Sequence, residues 1–218
     1  MGRNLFSFEG GEGSGKSTLI LKVAEALRVK GIEVVLTREP GGCPIGQKVR
    51  EILLDARNSE IVSRAELLLY AAGRAQHVEE VIVPALERGA VVLCDRYCDS
   101  TEAYQGYGRG LDLTLIRELN QIATGGIYPQ TTFLLDLPPE IGLGRALSRV
   151  ETASGKEGRF ERESLRFHHR VRFGYWQLAA REPRRMFMID ARLSPEGVFE
   201  ATMKKILGAM KVPRDRAV

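Results

Sequence analysis

The chain is poor in cysteine and has no long apolar run, and each shortage excludes a class of protein. Its 218 residues contain 3 cysteines, an odd number that argues against a disulfide framework. No stretch reaches the roughly 18 consecutive apolar residues of a membrane-spanning helix. The first residues carry no basic-then-apolar signal segment. We therefore expect a protein of the reducing cytoplasm, where free thiols persist.

A metal centre built on cysteine is also disfavoured. Cys94 and Cys98 flank Asp95 and Arg96, with no further Cys or His nearby, so free thiols explain them better than metal ligation does. The net charge is +4 and the isoelectric point is about 9.0, which is a mild basic bias. A phosphate-handling enzyme explains this bias as well as a nucleic-acid-binding protein does.

The most informative segment is a glycine-rich loop. Residues 10–17, GGEGSGKS, fit the pattern G-x-x-x-x-G-K-[ST]. They follow a short apolar strand candidate and precede a segment with helical apolar spacing, which is the context of a phosphate site. Backbone N–H groups and the helix N-terminus would hold phosphate oxygens. Lys16 would reach the terminal phosphates and Ser17 would ligate Mg²⁺. The residues predicted to bind a nucleoside triphosphate are Gly10, Gly11, Glu12, Gly13, Ser14, Gly15, Lys16, Ser17 and Thr18.

The rest of the chain alternates between strand and helix patterns. The predicted strands are 5–8, 32–36, 90–94, 131–135 and 185–189. The predicted helices are 16–30, 45–56, 63–88, 113–124, 139–149, 161–181 and 194–209. This alternation predicts an α/β fold with one five-stranded parallel sheet covered by helices on both faces. We expect a single domain over 1–211 and a frayed tail at 212–218.

Two further clusters are predicted beside the glycine loop, because ligands of such sheets bind beyond the carboxyl ends of the strands. Asp95 follows the third strand, where it would help to hold Mg²⁺, although it could instead cap the next helix. Arg96 beside it is a phosphate donor or a surface arginine. Arg38, in the turn REPGG that follows the second strand, is expected to contact a ligand.

Spacing alone leaves the candidate base-binding residues open. Tyr70 and Arg74 are four residues apart on one predicted helix and suit a nucleobase, but core packing with a solvated arginine explains them at least as well. Thr101, Tyr104 and Gln105 follow Asp95 and Arg96, and their position favours ligand contact over a surface hairpin.

An arginine-rich segment from 145 to 172 is for the most part expected to be a solvated helix. The polar loop within it, 151–158, is expected to be mobile and to close over phosphates. We therefore predict a mobile lid at about 145–162, with Arg149 and Arg159 as the arginines that stabilise the transferring phosphoryl group.

Together these clusters resemble the bacterial thymidylate kinase family. The resemblance is carried, in family order, by FEGGEGSGKST at 8–18, TREPGG at 37–42, YAAGRAQHVEEVIVPAL at 70–86, DRYCDSTEAYQGYGRGLD at 95–112, DLPPEIGLGRA at 136–146 and GRFERES at 158–164. These motifs touch most of the chain and are far more specific than the glycine loop alone. The fold that the resemblance implies is a three-layer P-loop nucleoside monophosphate kinase.

The resemblance also implies roles for individual residues. Arg38 and Arg96 would hold the acceptor 5′-phosphate, Tyr70 would stack on thymine, and Arg74 would contact a thymine carbonyl. The residues bordering the acceptor base and sugar would be Glu12, Thr101, Tyr104 and Gln105. The catalytic set would be Lys16, Arg96, Arg149 and Arg159, with Ser17 and Asp95 at the metal.

Three positions bear on the type of family member. Gly13 stands where the eukaryotic type has Arg, so the lid would supply the catalytic cation, as in the bacterial type. Cys43 replaces the usual Thr, and Gly158 replaces the usual Asp before Arg159. Neither departure removes a phosphate ligand.

The resulting hypothesis is transfer of the γ-phosphoryl group of ATP to dTMP, giving dTDP and ADP, by a homodimer that binds neither nucleic acid nor membrane. The helix at 63–88 would supply part of the dimer interface. Another nucleotide or nucleoside kinase is the nearest enzymatic alternative. A P-loop switch or nucleic-acid-binding ATPase is the alternative from another class, and it would hydrolyse ATP without a small acceptor.

Overall fold

Five parallel strands form the centre of the molecule. The computed structural model describes residues 4–152 and 158–210, and for 149–152 it describes the backbone alone. The strands are β1 (Leu5–Glu9), β2 (Val34–Arg38), β3 (Val91–Asp95), β4 (Thr131–Asp136) and β5 (Met186–Asp190). Their order across the sheet is β2-β3-β1-β4-β5, and every neighbouring pair is parallel. The predicted α/β fold with a five-stranded parallel sheet is therefore confirmed.

Helices cover both faces of this sheet. They are α1 (Lys16–Val29), α2 (Pro44–Leu54), α3 (Ser63–His77), α4 (Val83–Glu87), α5 (Cys98–Thr101), α6 (Leu113–Thr124), α7 (Pro139–Thr152), α8 (Leu165–Arg181) and α9 (Pro195–Met210). Side chains of the strands alternate between two cores, as the strand period of two requires. Phe6 and Leu93 pack with α1 and α9, whereas Val92 and Cys94 pack on the opposite face.

Two π-helical segments mark the places where the helix predictions needed correction. The predicted helix 63–88 is interrupted at Val78–Ile82, between α3 and α4. Pro84 follows two residues after this segment, and because it has no N–H it cannot donate an α-helical hydrogen bond back to the preceding turn. The second segment, Glu102–Gly108, continues α5 and places Tyr104 and Gln105 on a helix. We call it the π segment.

The predicted helix 161–181 begins later than expected. Ser164 caps α8, and its hydroxyl accepts a hydrogen bond of 3.2 Å from the N–H of Phe167. Residues 159–162 form turns instead of helix. The core of the lid region, 153–157, and the tail, 211–218, lie outside the described residues. Within the described ranges, no helix is long and apolar enough to cross a membrane.

Candidate active site

The glycine-rich loop joins β1 to α1 and is closed by its own lysine. Lys16 Nζ donates hydrogen bonds to the carbonyl oxygens of Gly10 (3.0 Å) and Gly11 (2.7 Å) and to Ser14 Oγ (3.1 Å). Burial, together with the cation of Arg96, lowers the pKa of Lys16 to about 8. The ammonium group is therefore charged at neutral pH and lies over the loop, where phosphate oxygens can replace the carbonyl groups as its partners.

Gly13 brings the loop into backbone contact with the start of α7. Its φ of 67° lies in the left-handed region, and a Cβ at this position would lie 2.0 Å from the carbonyl oxygen of Gly142. A Cβ at Gly142 would in turn lie 2.2 Å from the carbonyl oxygen of Glu12. The glycine-rich loop and the first turn of α7 are therefore in contact through Gly13 and Gly142.

A hydroxyl group and a carboxylate meet at the N-terminus of α1. Ser17 Oγ donates a 2.8 Å hydrogen bond to Asp95 Oδ2, at the end of β3. Among the described residues, no group of three or more His, Cys, Asp or Glu side chains could hold a metal ion. A divalent cation bound here would take these two hard oxygen donors from the protein and further oxygen ligands from phosphate and water.

Arg96 occupies the boundary between the glycine loop and the neighbouring cavity. Its Nη1 donates to the carbonyl of Gly10 (3.1 Å), to Ser100 Oγ (3.2 Å) and to the hydroxyl of Tyr175 (3.3 Å). Its Nη2 donates to Glu12 Oε2 at 3.1 Å. The guanidinium carbon also lies 4.9 Å from the centre of the Tyr104 ring. These contacts fix the cation at one place.

Glu12 and Tyr104 form the next part of the cavity wall. The hydroxyl of Tyr104 donates to Glu12 Oε2. Burial alone would raise the pKa of Glu12, but the cations of Arg96 and Lys16 outweigh it and lower that pKa. Glu12 is consequently an anionic acceptor between two cations.

Arg74 is held on three sides within α3. Its Nε donates to Glu39 Oε2 (2.7 Å), its Nη1 to Asn120 Oδ1 (2.6 Å) and its Nη2 to Thr101 Oγ1 (2.9 Å). An arginine has five N–H donors, so this scaffold orients the side chain and leaves donors for a ligand. Glu39 is itself held by His77 Nδ1 at 3.0 Å. The alternative of a solvated arginine at position 74 was therefore wrong, because the side chain is buried.

One cavity of about 930 Å³ brings the predicted residues together. It is lined by all the predicted acceptor-binding residues, Glu12, Arg38, Tyr70, Arg74, Arg96, Thr101, Tyr104 and Gln105, and also by Gly13, Lys16, Ser17 and Asp95. Arg38 is exposed at the cavity mouth and lies 3.5 Å from Gln47 Oε1. Residues predicted for the donor and for the acceptor thus share one space.

The two predicted lid arginines are placed differently from this set. Arg159 is buried and its Nη2 lies 2.5 Å from Glu66 Oε2, while its Nε donates to the carbonyl of Leu53 at 2.6 Å. It is not among the residues that line the cavity. The side chain of Arg149 lies outside what the structure describes.

Several buried polar residues of the site were missed by sequence reasoning. Glu39, Glu66 and Asn120 orient arginines, and Glu9 accepts hydrogen bonds from Ser100 (2.5 Å) and from the Tyr175 hydroxyl (2.9 Å) beneath Arg96. Burial, with Asp99 nearby, raises the pKa of Glu9 to about 7. Helical spacing could have identified Glu66, which lies one turn before Tyr70.

Comparison with known proteins decides the family. The family model for thymidylate kinase matches residues 8–202. The chain belongs to the thymidylate kinase family. It is accordingly an ATP-dependent phosphotransferase that converts dTMP and ATP to dTDP and ADP, and the suspected family resemblance is confirmed.

Individual family members match over most of their length. The chain is 61% identical over 185 residues to a thymidylate kinase of Citrifermentans bemidjiense, covering 84% of this chain and 82% of that relative. It is 54% identical over 208 residues to one of Trichlorobacter lovleyi, covering 95% and 98%. The crystal structure of thymidylate kinase from Ehrlichia chaffeensis shares 33% identity with a TM-score of 0.73, covering 94% of this chain and 99% of that one. The family member described here therefore shares both sequence and fold with thymidylate kinases.

Proposed function

We propose that the donor and acceptor nucleotides meet in the 930 Å³ cavity, with Arg96 at the point of transfer. The observation that carries this proposal is that Lys16 and Ser17 line the same cavity as Tyr70 and Arg74. The loop from Gly10 to Gly15, with Lys16, Ser17 and Thr18, would hold the ATP phosphates.

The acceptor phosphate would be held by Arg38 and Arg96, since both cations line the cavity. A phosphate oxygen is already anionic, so its attack on the γ-phosphorus requires no general base. Catalysis would then consist of positioning and of charge neutralisation by Lys16, Arg96 and a lid arginine.

Ser17 and Asp95 fit Mg²⁺, because a hydroxyl and a carboxylate are the hard oxygen donors that this ion prefers. When bound, the ion neutralises charge on the phosphate oxygens of ATP. Ser17 and Asp95 would hold it at the N-terminus of α1, and the Lys16 ammonium group beside them would exchange its loop partners for phosphate oxygens.

The base and sugar would be held by the remaining residues. Tyr70 would stack on thymine, and Glu12 and Tyr104 would border the sugar. Thr101 and Gln105 are themselves engaged with Arg74 and Glu66, so they would act at the edge of the same pocket. Arg74 would donate its remaining N–H groups to a thymine carbonyl.

Substitution of Arg74 by Gln should reduce the preference for dTMP over dCMP. Thymine offers a carbonyl at position 4 whereas cytosine offers an amino group, which would leave an arginine donor unpaired. That mismatch costs roughly 1–3 kcal/mol, or about 5- to 150-fold in kcat/KM. For the unmodified protein, a dye-coupled assay of ADP release should therefore rank dTMP first, dUMP second, and dCMP, dAMP and dGMP far below. For Arg74→Gln the difference between dTMP and dCMP should shrink.

The ratio of kcat/KM for dTMP and dCMP is measured on one preparation, so it does not depend on the folded fraction of the Arg74→Gln variant. An unchanged ratio would remove Arg74 from base recognition. Purine monophosphates as the better acceptors of the unmodified protein would contradict the proposed pocket as a whole.

We also propose a homodimer that uses the outer face of α3. Ala65, Leu68 and Ala72 are exposed on this helix, and their spacing places them on one apolar face. Two copies of one face can pair about a twofold axis.

The single domain over 1–211, with a lid at about 145–162, remains a prediction of the sequence.

Replacement of Leu68 by Arg should convert the dimer to a monomer. The side chain is 51% exposed, so a charge there is harmless to an isolated chain but would be buried in the interface. Light scattering on a sizing column measures the change. Leu21→Arg, at a leucine of α1 that is 58% exposed, is the matched control and should leave the mass unchanged. A monomeric unmodified protein, or a dimeric Leu68→Arg variant, would refute the proposed interface.

Finally, we place the reaction in the cytoplasm. All three cysteines are buried and free, which suits a compartment that keeps thiols reduced.

A further inference from the structure

A buried carboxylate on α3 forms ion pairs with two arginines from distant parts of the chain. Glu66 is fully buried, and its Oε2 lies 3.1 Å from Arg109 Nη2 and 2.5 Å from Arg159 Nη2. Its Oε1 accepts from Gln105 Nε2 at 2.7 Å. Arg109 also pairs with Glu163 at 2.5 Å. Two cations and two anions therefore balance within this cluster, which we call the Glu66 clamp.

The clamp keeps Glu66 ionised. Burial alone would raise its pKa, but hydrogen bonds from Arg109 and Gln105 and the charges of both arginines outweigh burial and lower that pKa. Removal of one arginine would leave part of a buried charge unpaired, which is costly. The position of each arginine is therefore coupled to that of the carboxylate.

Arg159 ties the end of the lid region to α2 as well. Its Nε donates to the carbonyl of Leu53, and the backbone N–H groups of Gly158 and Arg159 both point to the carbonyl of Leu54, at 3.2 and 3.3 Å. The segment 158–160 is consequently attached to α2, α3 and the π segment at once. All the residues that make these contacts lie in the part of the chain that the structure describes.

The attached segment forms part of the acceptor cavity. Gly158 and Phe160 line that cavity, and the Phe160 ring meets the Tyr104 ring edge-on at 5.5 Å. The guanidinium group of Arg159 lies against the same Phe160 ring, with its carbon 4.7 Å from the ring centre. Glu66 also lies one helical turn before Tyr70, a further cavity residue.

We propose that Glu66 and Arg159 are positioning residues for the acceptor nucleotide, and that Arg159 takes no part in phosphoryl transfer. The clamp holds Phe160, Tyr104 and Tyr70 in the arrangement that receives dTMP. Arg159 is buried against Glu66 and does not line the cavity, whereas Arg96 does, so its charge is not presented to the transferring phosphoryl group. The inference rests on the acceptor cavity proposed above.

The test compares Arg159→Ala, Arg159→Lys, Glu66→Gln and the double variant Arg159→Ala/Glu66→Gln. Each is assayed for kcat, for KM of dTMP at saturating ATP and for KM of ATP at saturating dTMP. We expect Arg159→Ala and Glu66→Gln each to raise the KM of dTMP about tenfold or more, with kcat within about threefold and the KM of ATP within about twofold. The double variant should resemble the single variants, because all break the same contact.

Arg159→Lys keeps the charge but loses the forked geometry, so we expect an intermediate rise in the KM of dTMP. It also keeps the proposal testable if Arg159→Ala does not fold. Arg88→Ala is the matched control: it removes an exposed arginine that pairs with Glu33 at 2.7 Å, and neither KM should change.

Three results would overturn the inference. A fall of about 100-fold in kcat for Arg159→Ala, with little change in the KM of dTMP, would assign Arg159 to the transfer step. Equal rises in the KM of dTMP and the KM of ATP would show a merely structural role. Unchanged kcat and KM values would show that the Glu66 clamp does not affect substrate binding. In each case the unmodified protein still phosphorylates dTMP, so the proposed function survives. If the unmodified protein were inactive towards dTMP, the proposed function itself would be contradicted.

Discussion

Replacing Lys16 with Ala should lower kcat by at least about 100-fold, equivalent to roughly 3 kcal/mol of transition-state stabilisation. The ammonium group lies over the loop, on the carbonyl oxygens of Gly10 and Gly11, and burial with the nearby Arg96 lowers the pKa of Lys16 to about 8. Its charge is therefore present at neutral pH and is oriented before ATP arrives. A neutral methyl group cannot compensate charge that develops on the γ-phosphoryl oxygens.

The measurement is steady-state ADP release with dTMP, alongside a thermal melt that verifies folding. Lys16→Met keeps most of the side-chain volume and should lose as much activity as Lys16→Ala. Lys22→Ala is the matched control on the same helix, since that lysine is 49% exposed and makes only a 3.7 Å ion pair with Glu196. Retention of more than about a third of the activity by Lys16→Ala would refute the assigned role of the loop.

Replacing Arg149 with Ala should lower kcat by about 10²- to 10⁴-fold, with a smaller change in the KM of dTMP. The glycine loop carries no arginine at position 13, and Arg159 is committed to Glu66, so Arg149 is the remaining candidate from the sequence for the lid cation. Stabilisation of the transferring group acts in the transition state alone, and its loss appears in kcat.

Arg166→Ala provides the comparison for this variant, because Arg166 is an exposed arginine of α8 and should be dispensable. The pair of results from Arg149→Ala and Arg159→Ala is more informative than either alone. Loss of kcat at position 149 and loss of dTMP affinity at position 159 would separate transfer from positioning. Normal turnover by Arg149→Ala would end the hypothesis of a lid arginine at that position.

Short apolar runs were sufficient to predict the sheet. Each predicted strand lies within two residues of an observed one, because buried parallel strands require continuous apolar residues. The ends were less predictable. Glu9, Arg38 and Asp95 extend strands β1, β2 and β3 by polar residues. Their backbones still pair within the sheet while their side chains belong to the site.

The contents of the cavity were predictable where motifs are local, and unpredictable where partners are distant. Arg74 and Tyr70 follow from the family resemblance, because helical spacing places them on one face but does not distinguish base binding from core packing. Asn120, which accepts a 2.6 Å hydrogen bond from Arg74, is 46 residues away and has no local signal. Such contacts arise only when α3 and α6 pack together, so a single sequence does not specify them.

The lid region shows the same limit. Arginine content predicted cations there, but the sequence does not distinguish a cation aimed at substrate from one that is buried against a carboxylate. Glu66 and Arg159 are 93 residues apart, and their pairing depends on how the end of the lid meets α3. Similarly, Ser164 was predicted to lie within a helix, although its side chain instead caps α8.

The contact between Gly13 and Gly142 restricts how the catalytic cation could be relocated during evolution. A β-carbon at Gly13 would lie 2.0 Å from a backbone oxygen, and one at Gly142 would lie 2.2 Å from another, so neither site can acquire a side chain while the other segment stays in place. An arginine transplanted into the loop would therefore not rescue a lineage that had lost the lid arginine. Moving the charge from lid to loop demands concerted changes in both segments, because the single-step intermediates are sterically blocked.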